Sequence, residues 1–359
     1  MMRAGLFGAA ALVFLLGVGP SALAQVPAKD TALIASQLAP VQPGPDLNDM
    51  LVGAPARMAA DYVKRVEMIP MRDGVKLYTV IMIPEGVRDA PIVLTRTPYN
   101  AAQRVMRTDS PSLLATLSQG DSQFVRAGYI RVFQDVRGKY GSEGNYVMTR
   151  PPRGPLNPTT TDDTTDAYDT IDWLVRHTPE SNGRVGMIGS SYEGWTVVMA
   201  LLGPNPALKV AAAESPLVDG WMGDDWFHYG AFRTLGLDYI ADQTTRAGEG
   251  NPVERETYDD FTGFLRAGSV ASYAKIHGVQ TYPWMQRLEQ HPAYDDFWQG
   301  QALDRLIATR PCTVPTIRLH LQHRRKPLGS LQVLAARLPA WLRGPNAATL
   351  PAGGLWPRV

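Results

Sequence analysis

A serine between glycines is the feature of this sequence with the clearest chemical meaning. The segment 186–195 reads GMIGSSYEGW, and its Ser191 follows a run typical of a buried strand and precedes a run typical of a helix. A serine on such a cramped turn is lifted out of the sheet, and the next backbone N–H lies at a helix N-terminus, where it stabilises an oxyanion. Gly189 and Gly194 relieve crowding, although Glu193 stands where the usual G-x-S-x-G pattern has its last glycine. The motif alone leaves two interpretations open, an acyl-transfer nucleophile and a structural turn serine.

The elements around this motif alternate between strands and helices. A β-hairpin is predicted at 62–83, because Asp73-Gly74 is a turn signal between two runs of alternating apolar residues. Further strands are predicted at 91–95, 129–134, 184–188 and 208–213, and helices at 113–127, 164–176 and 192–202. This order is typical of a parallel sheet, so the predicted fold class is α/β. Asp135 and Arg137, which follow one of the strands, are expected to form a buried structural pair.

The chain divides into six predicted segments. They are a signal peptide at 1–24, an irregular N-terminal arm at 25–59, an α/β core at 60–220, a helical cap at 221–307, the next core strand at 308–317 and a basic tail at 318–359. The signal peptide is indicated by Arg3, an apolar run at 6–18 and the small-x-small site Ala22-Leu23-Ala24. That run is too short to cross a bilayer core of about 30 Å. We therefore expect a periplasmic or secreted protein with no membrane span after signal removal.

The overall charge points to no polyanionic partner. Thirty-five Lys and Arg against 34 Asp and Glu leave a net charge of +1, so no nucleic-acid partner is predicted. Cys312 is the only cysteine, which excludes an intrachain disulfide. The tail at 318–359 is different, because it holds six Arg, one Lys and no acidic residue. It is interpreted either as out-of-frame translation of GC-rich DNA or as a genuine basic extension for nucleic acid or anionic lipid.

Several further motifs stand in one order along the chain. They are DVRG at 135–138, NGRVGM at 182–187, the segment 189–200, ESP at 214–216 and GWMGDDWFHYG at 220–230. Over about 60–317 the sequence resembles the X-prolyl dipeptidyl-peptidase and cocaine-esterase group of serine hydrolases, and within it the α-amino acid ester hydrolases. The resemblance implies an α/β-hydrolase core with a helical cap. It also implies a reaction through an acyl-enzyme that needs no metal and no cofactor.

The resemblance assigns roles to three residues around an oxyanion. Ser191 would attack the acyl carbonyl, and Tyr192 would donate its backbone N–H to the oxyanion. Tyr99, in the segment RTPYN at 96–100, matches a tyrosine whose hydroxyl is the second donor. A preorganised donor of this kind typically contributes about 3 kcal/mol in the transition state. Without the resemblance, Tyr99 is interpreted as a boundary tyrosine with its hydroxyl in water.

The resemblance also implies a pocket for the acyl group. Asp225 matches a carboxylate that holds the α-ammonium group of the substrate, and aromatic walls beside it suit a cation. Trp221, Trp226 and Tyr229 are predicted to line this pocket, with core packing as the alternative. On sequence grounds alone, Asp225 also fits an aspartate at a helix start. The implied partners are small α-amino acid esters and amides, and a homo-oligomer is possible as in full-length relatives.

The resemblance ends at Ile317. In this fold class the catalytic acid and then the histidine follow the serine, and the family continues with a WDQED-like segment, the histidine and a jelly-roll domain. Here 318–326 reads RLHLQHRRK, no acidic residue follows Asp304, and His320 and His323 come too early. We therefore expect that the triad Asp and His are absent, that the fold is incomplete at its C-terminus, and that a frameshift near Ile317 is the cause.

These observations lead to one predicted function with two alternatives. We expect a serine hydrolase of α-amino acid ester hydrolase type, acting on esters or amides of α-amino acids, including β-lactam side-chain chemistry, and inactive as written. One alternative is an X-prolyl dipeptidyl-peptidase or a general esterase of the same family. The other is a non-catalytic truncated remnant that at most binds substrate.

Overall fold

The computed structural model describes residues 59–310, with gaps at 224, 229, 234–235, 245–247, 249–252 and 255–256, and residues 312–319. The predicted signal peptide, nearly all of the predicted arm and the tail beyond 319 lie outside the described residues. Within the described part, no helix is both long enough and apolar enough to cross a membrane.

A mixed sheet of seven strands forms the centre of the described chain, with helices packed against it. The strands of this sheet and of a separate two-stranded ribbon are β1 Tyr62–Pro70, β2 Lys76–Pro84, β3 Ala90–Thr97, β4 Ile130–Asp135, β5 Ser181–Ser190, β6 Leu208–Glu214, β7 Phe227–His228, β8 Ala231–Phe232 and β9 Thr316–Leu319. The ribbon consists of β7 and β8. The helices are α1 Leu113–Thr116, α2 Ser122–Arg126, α3 Asp163–His177, α4 Tyr192–Leu201, α5 Gly236–Thr244, α6 Asp260–Ala267, α7 Val270–Ile276, α8 Pro283–Gln290, α9 Asp296–Gln299 and α10 Leu303–Ala308. The sheet order is β1-β2-β4-β3-β5-β6-β9. This arrangement confirms the predicted α/β class.

One strand of this sheet, β2, runs opposite to the other six. The pairs β1 with β2 and β2 with β4 are antiparallel, and β4, β3, β5, β6 and β9 are parallel to one another. The antiparallel start comes from the predicted hairpin, in which Gly74 adopts a φ of 85° and Met71 N–H donates to the Val75 carbonyl at 2.8 Å. The parallel part comes from the alternation of strands and helices, since a parallel strand needs a crossover connection.

The carboxyl ends of β5, β6 and β9 lie side by side at one edge of the sheet. Ser190 pairs with Glu214, and Glu214 pairs with Leu319. The chain therefore leaves β9 two strands away from the turn that carries Ser191. Ligands of open α/β sheets bind at the carboxyl ends of the strands, which makes this edge the place to look for a site.

The last strand starts later than the predicted strand at 308–317. Helix α10 continues to Ala308, and β9 begins only at Thr316. The chain bends at Val314, whose carbonyl accepts a hydrogen bond from the Thr316 hydroxyl at 3.0 Å. The predicted helix at 113–127 also differs, because a 3-10 turn at Gln119–Asp121 separates α1 from α2.

Buried ion pairs join the sheet to α3. Arg96 on β3 is fully buried, its Nη1 lies 3.1 Å from Asp163 Oδ1, and its Nε donates to Gln134 Oε1 at 2.9 Å. Asp163 belongs to the first turn of α3, so this pair anchors the helix start over the sheet. A buried charge is tolerated only with such partners.

The expected pair between Asp135 and Arg137 is wrong. Arg137 donates to Asp166 and to Asp73, each at 2.7 Å. The carboxylate of Asp135 accepts the Ala101 backbone N–H at 2.6 Å. The two side chains diverge because Arg137 has left β4 and lies between Asp166 at the start of α3 and Asp73 in the turn between β1 and β2.

The predicted cap contains more than helices. Its described residues form α5 to α10 together with a two-stranded ribbon, in which Phe227 on β7 pairs with Phe232 on β8. Aromatic rings fill the space beneath, with Trp226 5.5 Å from Trp284 and Phe227 5.8 Å from Trp298, measured between ring centroids. Both strands of the ribbon have only two residues, which is too short for a periodic sequence signal.

Candidate active site

Ser191 occupies the sharp turn between β5 and α4. Its φ of 58° and ψ of −122° form a strained conformation, which costs on the order of 1–3 kcal/mol for a non-glycine residue. The turn is held from two sides, because the Ser191 N–H donates to the Glu214 carbonyl at 3.0 Å and the Ser191 carbonyl accepts the Trp195 N–H at 2.9 Å. Ser191 is exposed at the sheet edge, and Tyr192 is the first residue of α4.

Close backbone contacts explain the two glycines of the motif. A Cβ atom at Gly189 would lie 2.5 Å from the Glu193 carbonyl oxygen, and one at Gly194 would lie 2.7 Å from the Glu214 carbonyl oxygen. The small residue that the turn requires after the serine is therefore Gly194. Glu193 is tolerated at the position before it because its side chain forms an ion pair with Arg104.

Tyr99 brings a phenol to the same turn. Its backbone N–H donates to Thr97 Oγ1 at 3.0 Å, just after β3 ends. Its hydroxyl lies 3.0 Å from the hydroxyl of Tyr239 and also bonds to the Ser191 side chain and the Tyr192 backbone N–H. Burial raises the pKa of Tyr99 above its usual value of 10, although these hydrogen bonds lower it. The phenol therefore keeps its proton at neutral pH.

The side chain of Tyr192 is fixed beneath the turn. Its hydroxyl accepts the Thr149 backbone N–H at 3.0 Å and is hydrogen-bonded to Tyr146. The hydroxyl of Tyr146 in turn donates to Gln243 Oε1 at 3.3 Å. Burial, followed by the charge of Asp163, raises the pKa of Tyr192 well above its usual range. Tyr192, whose backbone N–H is the first predicted oxyanion donor, is thus fixed by its side chain as well as by its place at the start of α4.

Ser191 opens onto a cleft of about 210 Å³. It is lined by Ser191, Tyr192, Leu217, Asp225, Trp226, Arg233, Gly236 and Tyr239. Burial raises the pKa of Asp225 from 3.8 to about 7, while the charge of Arg233 lowers it and that of Asp219 raises it. An ion pair formed here with a ligand is stronger than one in water, because the local dielectric is low.

The predicted aromatic residues are distributed unevenly around this cleft. Trp226 lines it, and its buried indole N–H has no hydrogen-bond partner among the described residues. Trp221 is not one of the residues that line it. The Trp221 ring packs against Tyr294 at 5.4 Å between centroids, and its Nε1 donates to the Pro292 carbonyl at 3.2 Å. Tyr229 lies outside the described residues.

Two polar residues of the cleft, Tyr239 and Arg233, were not predicted. Tyr239 is on α5 and Arg233 directly follows β8, so both belong to the cap. The Arg233 backbone N–H donates to the Trp226 carbonyl at 2.9 Å, which brings the end of the ribbon back to the cleft. No local motif marks these residues, because only the packing of the cap on the core places them beside Ser191.

The described residues place no histidine in the cleft. His177 stacks on Trp173 with 4.4 Å between ring centroids, and His291 Nδ1 is hydrogen-bonded to Asp295 Oδ2 at 2.7 Å. The described part also contains no group of three His, Cys, Asp or Glu side chains arranged to hold a metal ion. His320 and His323 follow β9 and lie outside the described residues.

Comparisons with known proteins agree with this geometry. A family model described as X-Pro dipeptidyl-peptidase (S15 family) matches residues 73–320. The chain is 29% identical over 252 residues to the cocaine esterase of Rhodococcus sp. (strain MB1 Bresler), which covers 66% of this chain and 40% of the esterase.

Two solved structures extend the likeness to three dimensions. A selenomethionine-labelled α-amino acid ester hydrolase is 56% identical, with a TM-score of 0.76, over 85% of this chain and 49% of that one. An aminopeptidase from a marine sediment archaeon, Thaumarchaeota archaeon, is 47% identical, with a TM-score of 0.75, over 82% of this chain and 48% of that one. The chain therefore spans half or less of the length of the relatives that it matches.

Proposed function

The chain belongs to the X-Pro dipeptidyl-peptidase (S15) family of serine hydrolases, and from that premise we propose that the cleft at Ser191 is the acyl site of an α-amino acid ester hydrolase. One observation carries the proposal: a serine on a strained strand-to-helix turn and a partly buried carboxyl, Asp225, line the same small cleft. The serine supplies a nucleophile, and the carboxylate supplies a partner for an α-ammonium group.

In the proposed reaction, Ser191 Oγ attacks the carbonyl carbon of the ester or amide. A C–O bond to the serine forms and the serine O–H bond breaks. Its proton passes to a general base, normally a histidine, which later gives it to the leaving group, and the carbonyl oxygen takes the negative charge. The Tyr192 backbone N–H and the Tyr99 hydroxyl donate to this oxyanion. When the tetrahedral intermediate collapses, the bond to the leaving group breaks, the leaving group takes a proton, and an acyl-enzyme remains. Water then releases the amino acid by the same steps.

The size and charge of the cleft support an amino acid as the acyl group. A cleft of about 210 Å³ suits one amino acid side chain better than an extended peptide. Leu217 and Trp226 offer apolar walls, and Asp225 offers the charge. We include β-lactam antibiotics with an α-amino acyl side chain among the proposed substrates. An X-prolyl dipeptidyl-peptidase or a general esterase is the alternative. For these activities, we do not require the Asp225 carboxylate as the partner of the acyl group's ammonium.

We also propose that the 359-residue chain is inactive in turnover. A neutral serine needs a base, normally a histidine that a carboxylate orients. In α/β-hydrolases the acid follows the strand that corresponds to β9, and the sequence after Leu319 contains no acidic residue. A frameshift near Ile317 remains our explanation. Translation of the neighbouring reading frames should reveal a WDQED-like segment, and its absence from both frames would remove that explanation.

Equilibrium binding tests the proposed function without requiring turnover. In a Ser191→Ala background, we expect phenylalaninamide to bind and Asp225→Asn to weaken its binding at least tenfold, because the ammonium loses its counter-charge. The uncharged analogue 3-phenylpropanamide should bind equally to both variants. Asp296→Asn, which changes an exposed carboxyl of the cap, is the matched control. Equal binding of phenylalaninamide with and without the Asp225 carboxyl would support the general esterase instead.

A further inference from the structure

We propose that Tyr239, on cap helix α5, is a positioning residue that directs the hydroxyl of Tyr99 towards the oxyanion. The proposal rests on the proposed function, because it concerns the donor that stabilises charge at Ser191. It assigns a role in the reaction to a residue of the predicted cap that lines the cleft and whose hydroxyl contacts that of Tyr99.

The hydroxyl of Tyr99 carries a single proton, which limits the hydrogen bonds that it can donate. A phenol has one O–H donor and oxygen lone pairs that accept. If Tyr99 gives its proton to the oxyanion, its oxygen must accept any other hydrogen bond that it makes. The Tyr239 hydroxyl lies 3.0 Å away and is the group placed to donate. Such an arrangement polarises Tyr99 and strengthens the bond that it donates, because chained hydrogen bonds are cooperative.

The protonation states agree with this direction. Burial raises the pKa of Tyr239 well above 10, and the neighbouring Tyr99 raises it further. Burial also raises the pKa of Tyr99. Both phenols are therefore neutral at the pH of any assay below about 9, so one O–H is available for the link between the rings and one for the oxyanion.

A second contact from the same helix reaches the other donor. One turn after Tyr239, Gln243 accepts a hydrogen bond from the Tyr146 hydroxyl at 3.3 Å. Tyr146 is hydrogen-bonded to Tyr192, whose backbone N–H is the first proposed oxyanion donor. Helix α5 is thus connected to both donors through side chains at i and i+4, which share one helix face. The packing of α5 against the core therefore determines the geometry of the proposed oxyanion site.

The Tyr239→Phe variant removes only the hydroxyl, so it tests the hydrogen bond to Tyr99 without changing the packing of the ring. The ring of Tyr239 lies 6.1 Å from that of Trp226, and Tyr239→Phe preserves this contact. The exposed Tyr168 on α3 provides a matched control, because Tyr168→Phe makes the same chemical change far from the cleft. Thermal unfolding of each variant reports whether the fold is retained.

Phenylboronic acid is the probe, because it mimics an oxyanion and does not require a catalytic base at equilibrium. The boron atom accepts a lone pair from Ser191 Oγ, the serine proton is released to solvent, and the boron centre becomes tetrahedral and negatively charged. Its oxygen then occupies the position of the oxyanion. Dissociation constants are measured at pH 8 by tryptophan fluorescence, with 11B NMR to verify the tetrahedral adduct.

We expect Tyr99→Phe to weaken boronate binding at least tenfold and Tyr239→Phe to weaken it about fivefold. The double variant should be no weaker than Tyr99→Phe alone, because Tyr239 acts through Tyr99. Tyr168→Phe should leave binding unchanged. Unchanged binding in Tyr239→Phe, or losses that add in the double variant, would overturn the inference. If Ser191→Ala binds the boronate as tightly as the unaltered chain, the proposed function fails as well, and the two failures are therefore distinguishable.

Discussion

At the scale of single residues, Asp225 illustrates how burial changes the ionisation of a carboxyl that we propose as the partner of an α-ammonium group. Its surroundings raise its pKa to about 7, and Arg233 and Asp219 act on it in opposite directions. An α-ammonium group binds only the ionised carboxylate. The raised pKa therefore places the change between weak and strong binding in the neutral pH range.

This pKa leads to a bell-shaped pH dependence. The affinity of the Ser191→Ala chain for phenylalaninamide should rise between pH 5 and about 7, as Asp225 ionises. It should fall above about pH 8, where an α-amino group loses its proton. Asp225→Asn should remove the rise and leave the fall. Titration calorimetry at several pH values measures both limbs, and a rise that persists in the asparagine variant would assign it to another group.

The same shift predicts the effect of Asp225→Asn on stability. A carboxyl whose folded pKa is raised stabilises the fold at low pH, and that contribution is lost as the pH rises from about 4 through 7. The asparagine variant should therefore be at least as stable as the unaltered chain at pH 8. Weaker binding by this variant then reports lost charge and not unfolding.

At the scale of elements, the turn from β5 to α4 depends on the absence of side chains at two positions. Gly194 packs against the carbonyl oxygen of Glu214, which is itself fixed because it accepts the Ser191 N–H at 3.0 Å. The backbone that positions the serine is thus the same backbone that leaves no space at Gly194. Stability and nucleophile geometry are coupled there.

We expect Gly194→Ala to lower the free energy of unfolding by about 2 kcal/mol or more, because its new Cβ would lie 2.7 Å from a backbone oxygen that cannot move freely. Gly120→Ala is the control, since its Cβ would make an ordinary contact of 3.6 Å with Ser118 Oγ. Urea denaturation of both variants measures the difference. Equal midpoints would show that β6 shifts easily at this point.

At the scale of the whole molecule, the core presents Ser191, the proposed nucleophile, and residues of the predicted cap complete the cleft. Ser191 and Tyr99 come from the ends of sheet strands, whereas Asp225, Arg233 and Tyr239 come from the predicted cap. The export signal, the segment boundaries and the tail at 318–359 stay predictions. The consequence of the tail for catalysis is tested by measuring turnover of the 359-residue chain.

Turnover by that chain should be almost independent of its serine. If no base reaches the serine, as we propose, Ser191→Ala should change the hydrolysis rate of phenylalanine p-nitrophenyl ester by less than about threefold, because one missing triad member already costs on the order of 10⁴-fold or more. Stopped-flow absorbance compares the two chains at pH 7.5. A rapid burst of nitrophenol that requires Ser191, followed by steady turnover, would prove that a base reaches the serine.

Much of the core and part of the site were accessible from local signals. The hairpin followed from an Asp-Gly turn, and the fold class from alternating strands and helices. Ser191, Tyr192, Tyr99 and Asp225 were singled out by motifs, and the structure brings them together. The partners of Arg137 were not predicted, because they depend on which distant carboxylates lie within reach in the folded chain.

The sequence by itself determined the strained serine turn and the order of strands that carries it, because both follow from residues that are close together in the chain. Only the tertiary structure placed the Tyr239 hydroxyl beside that of Tyr99, 140 residues away along the chain. That contact results from the packing of a cap helix against the edge of the sheet. Packing of this kind minimises the exposed apolar surface of the whole molecule, so no short stretch of sequence specifies it.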